Sequence, residues 1–94
     1  MKIYRIEVYA SFDSCNEFYE SVALTDFYTD KSKLDKMLDE LKVEFDNISS
    51  IDSWKKNDEK VEILIEKFKT RSLNCGMSYP ILDGFPTIEV YELH

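Results

Sequence analysis

The side chains best able to do chemistry are few in this sequence. The only histidine is His94, and the two cysteines are Cys15 and Cys75. A terminal histidine is expected to be frayed and solvated, without a structured partner to orient the ring. Ser-His and Cys-His nucleophilic mechanisms therefore lack their base, and a metal site would lack imidazole. Cys75 stands between Asn74 and Gly76, with no cation close by to depress its thiol pKa. Two widely spaced thiols with no CxxC pair read as free cysteines in a reducing compartment, with a single Cys15–Cys75 bridge as the alternative.

Carboxylates are plentiful, so an acid–base pair or a cation site has to be weighed. Asp35 and Asp39 share a helical face at i and i+4, and Glu40 and Glu44 lie close by, but Lys36 and Lys42 flank them. Interleaved charge of this kind is the pattern of a solvated helix face. There is no D-x-D-x-D-G loop, no GxGxxG and no P-loop, and the two glycines stand eight residues apart. The sequence thus reads as non-enzymatic, with no catalytic residue, no metal ligand set and no cofactor motif.

The elements that would carry any other function are plainer. With 94 residues, the chain has the length of one domain spanning 1–94. A 44% hydrophobic share is ordinary for a folded protein and too high for disorder. No apolar run reaches the roughly 20 residues that span a bilayer, and Lys2, Arg5 and Glu7 interrupt the start where a signal peptide would be apolar. A cytoplasmic location is expected.

Residues 2–10, KIYRIEVYA, alternate strictly: Tyr4, Ile6, Val8 and Ala10 on one face, Ile3, Arg5, Glu7 and Tyr9 on the other. That is a half-buried strand. Polar turn-formers follow, and the alternation resumes over 18–28, which predicts a wide hairpin. Thr29 or Asp30 supplies an N-cap oxygen, and Leu34, Met37, Leu38, Leu41 and Phe45 make one stripe of a helix over 30–46. The stretch NISSIDSWKKN reads as a loop pinned by Ile48, Ile51 and Trp54. Residues 58–72 read as a second helix with a stripe of Val61, Leu64, Ile65 and Phe68, although Val61, Ile63 and Ile65 also fit a strand. Gly76, Pro80, Gly84 and Pro86 mark 74–86 as a loop, and the chain closes on a strand, TIEVYEL. The expected fold class is α+β: a three-stranded antiparallel or mixed sheet with two helices on one face, in the order ββααβ. Placing the last strand beside the first would centre the most regular strand.

This order resembles small, mostly uncharacterised proteins common in bacteriophages and mobile elements. The matching pieces are Phe27-Tyr28-Thr29-Asp30 leading into Leu34 and the ending Ile88-Glu89-Val90-Tyr91-Glu92-Leu93, and the match covers roughly half the chain. The resemblance implies an accessory role, in which a small acidic protein binds and blocks a host protein, defence systems included.

Charge placement narrows the partner. The net charge is −7. Residues 7–30 hold six acids and no base, and residues 72–94 hold Asp83, Glu89 and Glu92 and no base, whereas 31–71 balance ten acids with ten bases. Phosphate recognition needs the opposite sign, so no direct nucleic-acid partner is expected. The helices cover one face of the sheet and leave the other open, bearing Glu7, Tyr9, Tyr19, Glu89 and Tyr91 with Ile3, Arg5 and Thr25. Tyrosines among carboxylates suit recognition of a protein with a basic patch. The alternatives are a self-associating structural protein joined as a homodimer through open sheet edges, and a nucleic-acid mimic in which carboxylates imitate phosphates. A pocket around Trp54, Tyr79 and Phe85 is the remaining place for a small ligand.

Overall fold

The strict alternation of the first ten residues produces the central strand of the molecule. In the computed structural model, which describes residues 1–12, 18–73 and 79–94, β1 (Lys2–Ser11) pairs antiparallel with β2 (Glu20–Ala23) on one side and with β3 (Ile81–Glu92) on the other. The sheet order is β2-β1-β3. Between β2 and β3 come α1 (Lys31–Asp46) and α2 (Ser53–Phe68). The order is ββααβ, with the last strand beside the first as the sequence suggested. Residues 13–17 and 74–78, with Cys15 and Cys75, lie outside the described residues, so the expected loop between the first two strands and the start of the expected 74–86 loop lie there too.

Ile6, Val8 and Ala10 are buried on the helix side of β1 and join Val22, Leu24, Leu34, Leu41, Val61, Leu64 and Leu73 in one core. Each fully buried aliphatic side chain contributes roughly 1.5–3 kcal/mol. Helix α1 starts where the cap signal sits: Asp30 Oδ1 accepts from the Ser32 backbone N–H at 3.0 Å and from the Ser32 hydroxyl at 2.6 Å. The Ser32 hydroxyl bond is the main reason the Asp30 carboxyl is held below its ordinary pKa. Leu34 and Leu41 are fully buried along the expected stripe, with Met37, Leu38 and Phe45 half-buried beside them.

Five readings of the elements need correction. Helix α2 begins at Ser53, not near 58, so part of the Ser/Asp-rich stretch is its first turn behind the N-cap Asp52. Ile51 is 93% exposed and Trp54 lies open on that turn, so neither pins a loop to the core. The strand alternative for 61–65 is overturned: Val61 and Leu64 bury as a helical pair.

The 18–28 strand keeps regular pairing only over Glu20–Ala23. Beyond it the Thr25 hydroxyl accepts the Ile6 N–H at 3.1 Å, in the place a strand carbonyl would fill. The chain regains β1 at the Tyr4–Tyr28 bridge with two residues to spare.

Residues 81–86, expected as loop, belong to β3. Here β1 advances from Glu7 to Tyr9 while β3 runs from Thr87 to Asp83. The surplus residues form a bulge in which Gly84 takes φ 73° and Pro86 needs no N–H partner. Glycine and proline therefore bend the strand at this point without ending it.

Candidate functional site

The face of the sheet away from the helices is built by parity. Ile3, Arg5, Glu7 and Tyr9 from β1 stand opposite Tyr91, Glu89, Thr87 and Asp83 from β3, and Glu7 and Tyr9 stand opposite Ala23 and Ser21 from β2. Four of the five expected recognition residues are open to solvent in varying degree. Tyr9 is 51% exposed, Tyr19 and Tyr91 are also exposed, and Glu89 is half-buried. Glu89 accepts a hydrogen bond from the Thr87 hydroxyl at 2.9 Å. Thr25, assigned to this face from the alternation, is taken up by the Ile6 N–H.

Glu7 departs from the expectation of a surface carboxylate. It is only 5% exposed, the one buried charge among the described residues. Three groups enclose it. Arg5 Nε donates to Oε2 at 2.7 Å, the Tyr91 hydroxyl donates to the same oxygen, and the Ser21 hydroxyl donates to Oε1. Over this anchor the Arg5 guanidinium lies 4.5 Å from the Phe27 ring centre and 5.2 Å from that of Tyr91. The two rings meet edge to face at 5.4 Å. All three strands meet at this point: Arg5 and Glu7 from β1, Ser21 from β2 and Tyr91 from β3, with Phe27 entering from the segment after β2.

The electrostatics follow from that packing. Desolvation pushes the Glu7 carboxyl up, but the bonds from Ser21, Tyr91 and Arg5 and the positive charge of Arg5 together outweigh it, and the group is held below its ordinary value. The bond to Glu7 is the first cause that raises the Tyr91 phenol above its usual value, with desolvation second. Its own hydrogen bond to Glu7 raises Arg5 further into its charged range, against the opposing pull of desolvation. The arrangement keeps one carboxylate ionised at neutral pH and satisfies it fully. It offers no proton to a substrate and no free nucleophile.

The rest of the open face is different in kind. Asp83 and Glu89 have no ion-pair partner among the described residues, and Arg5, the one cation at these ladder positions, is neutralised by Glu7. Phe27 adds exposed aromatic surface against Tyr91. Sequence reasoning placed Arg5 on this face without a role beside Glu7, and missed Phe27. The pair motif Arg5-x-Glu7 on one strand face was the available signal, since residues two apart on a strand are neighbours.

Two of the clefts beside the sheet carry groups that could meet a ligand. One of about 580 Å³ is lined by Trp54, Tyr79, Ile81 and Leu82 among others. Phe85, expected there, instead stacks edge to face on Phe45 at 5.5 Å. The other, about 610 Å³, carries Arg5, Lys67, Lys69 and Arg71. Two of those cations are already engaged: Arg5 by Glu7, and Lys67 by Glu40 and Glu44 at 3.3 Å each. Those last two pairs also account for part of the carboxylate cluster on α1. Among the described residues no group of three or more His, Cys, Asp or Glu side chains is placed to hold a metal ion, and no helix is long and apolar enough to cross a membrane. Comparison of the chain with protein-family models, with curated proteins and with solved structures gave no match.

Proposed function

We propose that the chain is a protein-binding module that docks its open sheet face on a basic surface of another protein and blocks it, as the phage-protein resemblance implies. The observation that supports this reading is the pairing of exposed aromatic rings with uncompensated carboxylates on one face. Tyr9, Tyr19, Phe27 and Tyr91 supply contact area at low entropic cost, and Asp83 and Glu89 supply the sign of charge. Glu7 is not part of the contact in this reading. It holds the Tyr91 ring and Arg5 in place beneath it, so that the surface is ordered before the partner arrives.

The test separates contact residues from supporting ones. Tyr9→Ser combined with Tyr19→Ser leaves the Glu7 network intact, whereas any change at Tyr91 also disturbs the fold. The immobilised chain is exposed to cell lysate at low and high salt, and retained proteins are identified by mass spectrometry. One stoichiometric partner, held at low salt, released at high salt and lost in the folded double variant, is the expected result. Equal retention by the folded double variant removes the open face from the interaction.

A further inference from the structure

We propose that the outer edge of β3 over Ile88–Glu92 pairs antiparallel with the same edge of a second copy of this chain, about a two-fold axis at Val90. The pattern of ladder bonds shows which groups are free. The Leu93 N–H donates to Met1 O at 2.8 Å and the Met1 amino group donates to Leu93 O at 3.3 Å, so Met1 and Leu93 form a hydrogen-bonded pair. With the register continuing through Ile3–Tyr91, Arg5–Glu89 and Glu7–Thr87, the odd residues of β3 bond to β1. Ile88, Val90 and Glu92 therefore turn their N–H and C=O groups outward, and no partner meets them among the described residues.

The two ends of this strand are handled in opposite ways. At its start the outward groups are taken. Asn57 of α2 donates its side-chain amide to Pro80 O at 2.9 Å and accepts the Leu82 N–H at 2.9 Å, as a neighbouring strand would. The Gly84 bulge and Pro86 then break the edge further. These are the devices by which a sheet edge is kept from pairing. From Thr87 onward the sequence has no proline and no lysine, and among the described residues there is no bulge and no covering side-chain hydrogen bond.

The sequence of the open stretch fits itself. About Val90, Ile88 stands opposite Glu92 of the second copy, and Glu89 stands opposite Tyr91, so no carboxylate faces a carboxylate. An axis at Glu89 or at Glu92 would set like charges against each other. Val90 lies on the helix side of the sheet yet is 56% exposed, the most exposed apolar side chain on β3. The two-fold axis would bring the two Val90 side chains together. The product is a continuous six-stranded antiparallel sheet with isologous contact; it joins backbone edges and brings Glu89 and Tyr91 of the open face beside the second copy, while Tyr9 and Tyr19 stay clear of the seam.

Net charge gives the pairing a signature. Two copies at −7 each repel, and salt screens that repulsion, so self-association strengthens with salt while capture of a basic partner weakens. Sedimentation equilibrium from micromolar to millimolar chain at low and high salt is expected to show a mass rising toward twice 11.1 kDa, further at high salt. Amide exchange at Ile88, Val90 and Glu92 is expected to slow as concentration rises. Val90→Pro removes an outward donor that β1 does not use, and Val90→Lys sets two cations against each other at the axis; both are expected to stay monomeric with unchanged far-ultraviolet circular dichroism. A chain that remains monomeric at millimolar concentration in high salt overturns the proposal. So does a dimer that survives in both folded variants, or one whose concentration-dependent protection falls elsewhere.

Discussion

The open face has two ends built on different terms. Around Glu7, both carboxylate oxygens have partners and Arg5 lies against two rings. Around Tyr9, the ring is half exposed and its ladder neighbours Ser21 and Asp83 leave it uncovered. The first end ties three strands together. The second contributes little to the fold and is free to be contacted. An exposed tyrosine therefore means different things at the two ends: Tyr91 is a structural member that also shows its surface, and Tyr9 is surface alone.

The largest effect should come from removing the centre of the ordered end. Glu7→Ala strands the Arg5 guanidinium and two hydroxyls, and urea unfolding should report a loss of about 2 kcal/mol, as for a hydrogen-bonded charge. A loss no larger than that of a surface substitution would erase the distinction between the ends.

Acid should produce the next effect. Because Glu7 is held below its ordinary value of 4.5, its contribution is fully present above that pH and is lost as pH falls through the depressed folded value. Thermal melts from pH 6 downward should show this loss in the native chain, and Glu7→Gln should flatten that part of the profile.

Tyr91→Phe removes one of three donors and keeps the ring over Arg5, so its melting temperature should fall by less than that of Glu7→Ala. The smallest effect belongs to the other end. Tyr9→Ser and Tyr19→Ser should each change stability by no more than about 0.5 kcal/mol while partner capture is lost. A destabilisation matching that of Tyr91→Phe would show that both ends are structural.

The sequence disclosed which face of β1 each residue occupies, because a period of two has only one assignment once the apolar set is known. It did not disclose depth. Glu7 lies on the open side as read, yet Arg5, Ser21 and Tyr91 close over it, and two of those three come from other strands. The helices were legible from their stripes, and α1 from its cap. The start of α2 was hidden because Ser, Asp and Asn favour both turns and first helical turns. The reach of β3 was hidden for a related reason: Gly84 and Pro86 signal interruption, and whether a chain bends or ends at such residues depends on the strand beside it. The extent of β2 turned on Thr25, whose hydroxyl stands in for a backbone group in a way no local pattern records.

The position of β1 between its earliest and latest partners also has a kinetic side. Its longer ladder is with β3, whose residues follow some seventy positions after β1 ends. Closing so large a loop is entropically costly before its contacts form, and pairings of high sequence separation slow folding. During synthesis, β1 and the short β2 can form only a narrow hairpin, and a two-stranded hairpin is marginal in water. The helices would emerge onto a platform lacking its third strand. Cooperative folding must therefore wait until β3 has left the ribosome, and until then one whole edge of the future central strand is exposed to whatever chaperone or strand reaches it first.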